Sequence, residues 1–61
     1  MQWIAPHPDM AFAPIPGQRA MAKIIRADGK FTLYRQDDTG MTPIGTYATL
    51  AEAKTEAGKL S

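Results

Sequence analysis

The segment from Thr46 to Ala53 constrains the fold more than any other part of the chain. It reads Thr-Tyr-Ala-Thr-Leu-Ala-Glu-Ala, so strand-forming residues run directly into the start of a helix. Thr49 and Glu52 form a capping box: the threonine hydroxyl accepts from the amide three residues on, and the glutamate side chain reaches back to the amide of the cap. The sequence therefore predicts a strand that is followed by a helix from Leu50 to about Lys59.

A short antiparallel sheet is predicted before this helix. Asp28-Gly29 is a strong two-residue hairpin signal, and residues 37–40 have the composition of a second turn. These turns separate three predicted strands at residues 21–27, 30–36 and 41–48, and the short connections favour a meander. The predicted fold class is α+β, with a three-stranded antiparallel meander packed on one C-terminal helix and a proline-rich extended N-terminal arm.

The two turns predict which residues lie opposite each other in this sheet. The first turn places Ile24 opposite Leu33, and the second places Ile44 beside Leu33. Alternation then predicts a core face that consists of Ala22, Ile24, Phe31, Leu33, Ile44 and Ala48. The opposite face is predicted to carry Lys23, Ile25, Lys30, Thr32, Tyr34 and Tyr47.

Residues 1–19 are predicted to form the extended arm, ahead of a β-β-β-α domain at residues 20–61. The arm holds four of the five prolines, a density that excludes a helix interior and removes donors from a strand ladder. It is also apolar, and its candidate partner-binding residues are Trp3, Ile4, Phe12 and Ile15. Two alternatives stay open, because such an arm either wraps its own domain or docks on another chain.

Length and composition narrow the class of protein. A chain of 61 residues makes one domain at most, and a domain of this size buries only about 60% of the surface that its unfolded chain exposes. The chain has no cysteine, which excludes disulfides and suits a cytoplasmic protein. No apolar run approaches the roughly 20 residues that span a bilayer, and the start of the chain is unlike a signal peptide. We therefore expect an unexported protein, not bound to a membrane, that gains its stability from packing, from self-association or from a protein partner.

The titratable residues predict no active site. His7 lies between two prolines, without a nearby residue that would orient it as a base. Asp37 and Asp38 suit a turn better than the alternating oxygen ligands of a calcium loop. Neither Asp28-Gly29 nor Thr39-Gly40 leads into the start of a helix, as the glycines of a phosphate-binding loop do. We therefore predict a non-enzymatic protein with no catalytic, cofactor-binding or metal-binding residues.

One face of the predicted sheet combines positive charge with aromatic rings, although the whole chain has only 7 basic against 6 acidic residues. Cations contact phosphates, and aromatic rings pack on bases or sugars. The alternative is a solvated outer face, because lysine, threonine and tyrosine also suit exposed strand positions. The candidate nucleic-acid-binding residues are Lys23, Lys30, Thr32, Tyr34 and Tyr47.

Three short segments carry a resemblance to a known family. Residues 28–31 (Asp-Gly-Lys-Phe), 45–49 (Gly-Thr-Tyr-Ala-Thr) and 51–53 (Ala-Glu-Ala) resemble the N-terminal arm-binding domain of tyrosine recombinases, which is similar to the plant AP2 DNA-binding fold. Over residues 21–60 the resemblance implies a three-stranded sheet that is backed by one helix and enters the DNA major groove through the five candidate residues above. The same pattern also resembles small phage and bacterial proteins of strand-strand-strand-helix form.

Two functions follow as expectations. The leading hypothesis is a small interaction module, accessory to a phage or mobile element, that binds a protein partner or itself through the apolar arm and the uncovered sheet face. The alternative is a DNA-binding module that uses the basic and aromatic sheet face.

Overall fold

The computed structural model describes residues 1–60 as one antiparallel sheet with a helix on one of its faces. Strand neighbours follow the order of the chain, so the sheet is a five-stranded meander. The elements are β1 (Ile4–His7), β2 (Met10–Pro14), β3 (Met21–Ala27), β4 (Lys30–Asp37), β5 (Gly40–Tyr47) and α1 (Leu50–Gly58).

The prediction of a three-stranded sheet with an extended arm is wrong, because the N-terminal residues add two strands. All of β2 pairs with β3, from Met10 opposite Ile25 to Pro14 opposite Met21, and β1 pairs with β2 in turn. The prolines led to the error, since an edge strand and a strand end both tolerate a residue that lacks an N–H. Pro6 lies in the edge strand β1, and Pro14 is the last residue of β2.

The predicted register of the β3–β4 hairpin is confirmed. Ile24 lies opposite Leu33, and the pairing continues to Ala27 opposite Lys30. Asp28 and Gly29 have φ values of 54° and 72°, and a two-residue hairpin turn of type I′ needs a positive φ at both central positions. The turn residues alone therefore determined this register.

A bulge in β5 makes the predicted neighbour of Leu33 wrong. Gly45 lies opposite Leu33 and Pro43 lies opposite Tyr34, so Ile44 is the extra residue between two regular pairs. Ile44 is 43% exposed, whereas the sequence had placed it in the core.

The bulge also moves Tyr47 to the opposite face from the predicted one. Tyr47 lies opposite Phe31 and packs against the buried cluster, and its ring lies close to Gly45. A Cβ atom at Gly45 would come 2.7 Å from the Tyr47 hydroxyl oxygen, so this position has no room for a side chain unless the ring moves. Ala48, which was predicted in the core, is exposed.

The hydrophobic core lies between the sheet and α1. Its largest fully buried side chains are Ile15, Ile24 and Leu33. Ala53 and Ala57 lie one helical turn apart and are fully buried, so α1 packs against the sheet through a narrow apolar stripe. The partly buried side chains packed around this core are Trp3, Phe31, Tyr47, Leu50 and Leu60.

Thr49 caps α1, as predicted. Its Oγ1 accepts a hydrogen bond from the Glu52 amide at 3.2 Å, which satisfies one of the free amides at the helix start. The second half of the capping box differs from the prediction, since the Glu52 carboxylate accepts from the Thr49 hydroxyl at 3.4 Å.

A polar network fastens the end of the helical segment to the sheet. The Arg35 guanidinium donates to Asp37 Oδ2 and to Gln18 Oε1, and the Gln18 side chain donates to the Leu60 carbonyl at 2.6 Å. Hydrogen bonds from the Thr39 hydroxyl and amide, together with Arg35, lower the pKa of Asp37 from 3.8 to about 2. The network joins the loop after β2, strand β4 and the C-terminal turn.

Candidate binding surface

The face of the sheet opposite α1, here termed the open face, is the candidate binding surface. Within residues 1–60 the helix packs on β3, β4 and β5 through the other face, which holds Ile24 and Leu33. Side chains alternate between the two faces along a strand, and directly paired residues share a face. The open face therefore consists of Lys23, every second residue from it along β3, and the residues paired with these on the neighbouring strands. In order along the chain the strand positions on this face are Ile4, His7, Met10, Phe12, Pro14, Met21, Lys23, Ile25, Ala27, Lys30, Thr32, Tyr34, Gln36, Met41, Pro43 and Thr46.

The central row of the open face places a lysine between two aromatic rings. Phe12 lies opposite Lys23 in the β2–β3 pair, and Lys23 lies opposite Tyr34 in the β3–β4 pair. Directly paired side chains of this kind have their Cβ atoms about 5 Å apart. The row continues to Ile4 on β1 and to Pro43 on β5, so it crosses all five strands.

Methionines flank this central row on both sides. Met10 lies opposite Ile25, and the row continues to Thr32, whose hydroxyl lies 3.3 Å from that of Thr46. On the other side, Met21 and Met41 both lie opposite Gln36, from β3 and β5 respectively.

Sequence reasoning missed this methionine cluster, because the methionines are scattered along the chain. The sequence signal is the alternation of alanine with larger residues in Met10–Pro14 (Met-Ala-Phe-Ala-Pro), which is typical of a strand. In the structure the two alanines are buried and the larger residues lie on the open face. Recognising β2 as a strand would have brought the methionines together.

A cavity of about 170 Å³ opens on this surface, lined by Met10, Phe12, Met21, Lys23 and Gln36. Four of its five lining residues have long, flexible side chains. Methionine in particular adapts its shape to different apolar neighbours. The cavity is therefore suited to receive one apolar side chain of a ligand, with an ammonium group at its border.

The charged residues are divided between the two sides of the sheet. In the described chain, the open face contains Lys23 and Lys30 and no carboxylate. The acidic residues occupy turns, the helix, or the opposite side of the sheet, and they are Asp9, Asp28, Asp37, Asp38, Glu52 and Glu56. The open face is thus locally basic although the whole chain has a net charge of only +1.

Two of the four arm candidates reach the open face. Ile4 is 53% exposed there, and Phe12 is half-buried in the central row. Ile15 is only 1% exposed and belongs to the core. Trp3 packs against the same core, with the Lys54 Nζ 5.8 Å from the centre of its ring.

Four of the five nucleic-acid candidates come together on the open face. Lys23, Thr32 and Tyr34 lie on neighbouring positions of β3 and β4, and Lys30 lies at the start of β4. Tyr47 points to the helix side, where it packs against the core.

A second cavity, of about 280 Å³, lies beside the start of α1 and is lined in part by Ile24, Phe31 and Leu50. At its border the His7 Nδ1 accepts a hydrogen bond from the Asp9 amide at 3.2 Å, within an exposed turn. Among residues 1–60 no group of three or more His, Cys, Asp or Glu side chains is arranged to hold a metal ion. The cavity is therefore an apolar pocket next to a turn.

Comparisons with protein families, with characterised proteins and with solved structures find no match for this chain. The resemblance of residues 21–60 to recombinase arm-binding domains therefore stays a prediction. In the part of the chain that the structure describes, no helix has the length and apolar character needed to cross a membrane.

Proposed function

We propose that this chain is a small, non-enzymatic interaction module that binds a protein partner through the open face. The observation that carries the proposal is that α1 leaves one side of the five-stranded sheet uncovered, where Phe12, Tyr34, Met10 and Met21 are half-buried and Met41 is exposed. Aromatic residues and methionine are enriched in the cores of protein interfaces, and sizeable exposed apolar patches mark interaction sites. Its setting is the cytoplasm, which a cysteine-free chain of this length suits.

The size of the open face supports a weak or transient complex. Strands of about 7 residues are ~23 Å long, and five strands ~4.8 Å apart span ~19 Å, which gives a projected area of about 440 Å². A partner that covered this area would bury roughly 900 Å² in total, at the low end of specific protein interfaces.

The edges of the sheet favour docking on the face over extension of the sheet. The edge strand β1 has four residues, contains Pro6 and has a register shift. The other edge strand, β5, contains Pro43 and the bulge at Ile44. Short edges, prolines and bulges are the features that prevent an added strand from pairing.

Site-specific photo-crosslinking in cells tests the proposal. A photoreactive phenylalanine analogue at Tyr34 should form a defined protein adduct, and the same analogue at Thr55 on the exposed side of α1 should not. Met21→Glu should abolish the Tyr34 adduct, while Ala51→Glu, an acidic substitution at an exposed helix position, should leave it unchanged. Equal adducts at both sites, or an adduct that survives Met21→Glu, would contradict the proposal.

DNA binding is the second candidate function, favoured by the position of Lys23 between Phe12 and Tyr34 on a face that holds no carboxylate within residues 1–60. With Lys23 and Lys30 as the two cations that contact phosphates, the logarithm of affinity should fall with a slope of about −2 against the logarithm of salt concentration. A fourfold increase in salt should then weaken binding by about tenfold. Gel shifts with pooled single-stranded and duplex DNA at two salt concentrations test this, and no shift at micromolar protein removes the candidate.

A further inference from the structure

The three central strands of the open face, β2, β3 and β4, have the width and the charge of a site for one helix. We infer that the partner presents an amphipathic α-helix whose apolar stripe lies across Phe12 and Tyr34 and whose flanking carboxylates pair with Lys23 and Lys30. This inference rests on the proposed function and specifies the chemistry of the partner.

The architecture of the sheet provides the first argument. A sheet with apolar side chains on both faces is normally covered by a layer on each, and here α1 covers one face only. A helix about 10 Å in diameter covers two to three strands at ~4.8 Å spacing, and about 16 residues of helix match the ~23 Å length of the strands. A single helix over β2, β3 and β4 would cover the whole Phe12–Lys23–Tyr34 row.

The cavity provides a place for the central side chain of such a helix. It is lined by Met10, Phe12, Met21, Lys23 and Gln36 and has a volume of about 170 Å³. Interfaces obtain most of their affinity from a few large side chains that fill pockets of this kind. A leucine, methionine or phenylalanine on the partner helix is of suitable size and chemistry.

Charge decides between this partner and a second copy of the chain. In a two-fold symmetric pair each surface meets an identical surface. Among residues 1–60 the charged side chains of the open face are Lys23 and Lys30, so such a pair would bring like charges together. A partner with acidic residues beside its apolar stripe meets these lysines with opposite charge. Complementary potentials of this kind favour correct partners and disfavour like-charged ones.

Selection from a displayed library of random peptides, each about 16 residues long to match the sheet, tests the inference on the full chain. Selected peptides should have apolar residues at spacings of three and four, with Asp or Glu beside them. Parallel selections on Lys23→Glu and on Lys30→Glu should exchange these acidic positions for Lys or Arg. A peptide selected on the natural chain should bind it about tenfold more tightly than Lys23→Glu at low salt, and the ratio should shrink as salt is added.

Circular dichroism of both variants establishes that they are folded, and amide chemical shifts of the labelled protein locate the bound peptide. Enrichment of extended or basic peptides, absence of any enrichment, or acidic preferences that survive both charge reversals would overturn the inference. Self-association that Met21→Glu abolishes would identify a second copy as the occupant, and shifts caused by oligothymidine would identify a nucleic acid. If the Tyr34 crosslink persists while no helical peptide is selected, the helix is refuted and the proposed function stands; loss of both refutes both.

Discussion

Replacing Ile15 by alanine should destabilise the protein severely, although this residue lies in the segment that the sequence assigned to a partner-binding arm. Ile15 is 1% exposed and packs in the core cluster with the helix residues Ala53 and Ala57. Truncation of a buried isoleucine to alanine costs about 2–5 kcal/mol. A domain of this size has a total unfolding free energy of roughly 3–9 kcal/mol, so the substitution removes a large part of it.

Ile4→Ala is the matched control, because it makes the same chemical change in the same N-terminal segment. Ile4 is 53% exposed on the open face, so its truncation should cost about 1 kcal/mol or less. Since 1 kcal/mol shifts the melting temperature of a small domain by about 4–8 °C, Ile15→Ala, at about 2 kcal/mol or more, should melt at least ~8 °C below the natural chain. Thermal and urea unfolding followed by circular dichroism measure both variants. If Ile15→Ala melts within a few degrees of the natural chain, or if Ile4→Ala costs as much, then β2 and its following loop are not part of the folded core.

Three further substitutions test other parts of the fold. Gly45→Ala should displace the Tyr47 ring and cost about 1–3 kcal/mol by urea unfolding, and the cost should nearly vanish in a Tyr47→Ala background. In the folded protein the pKa of Asp37 is about 2, below its usual 3.8. The ionised Asp37 therefore contributes fully to the free energy of unfolding above about pH 4, and this contribution is lost as the pH falls toward 2. Urea midpoints across this range should therefore decline less steeply in Asp37→Asn, and parallel declines would refute the role of the network. Thr49→Ala should cost about 1 kcal/mol through loss of the helix cap, while Thr55→Ala, on the exposed side of α1, should be nearly neutral; equal losses would show that the cap is not responsible.

The features that the sequence predicted correctly depend on residues close together in the chain. Asp28-Gly29 determines its hairpin because two adjacent residues adopt positive φ, and Thr49 caps the helix through an amide three residues away. The apolar stripe of α1 has the same local origin, since a helix repeats every 3.6 residues.

The features that the sequence could not predict depend on pairings between distant residues. Phe12 belongs to a strand because it pairs with Lys23 on β3, which is distant in the sequence. The prolines near Phe12 are compatible both with an extended arm and with a strand at the edge of a sheet. The bulge at Ile44 depends on how β5 pairs with β4, and it places Tyr47 at the end of the strand on the helix side of the sheet. The composition of the open face depends on both the β2 pairing and the bulge. Six of its residues are among the candidates predicted from the sequence, two from the arm and four from the basic and aromatic face, but its methionines are not.

The sequence positions of the core residues also set when the protein can fold during its synthesis. The buried cluster joins Ile15 to Ala53 and Ala57, and Trp3 meets Lys54, so residues that are far apart in the sequence must both have been made before these contacts form. Until α1 has left the ribosome, the nascent sheet has apolar side chains exposed on both faces, and such intermediates are prone to aggregate. A pause in translation between β5 and α1 would lengthen this exposure. The fluorescence of Trp3, the single tryptophan, would report when α1 packs on the sheet.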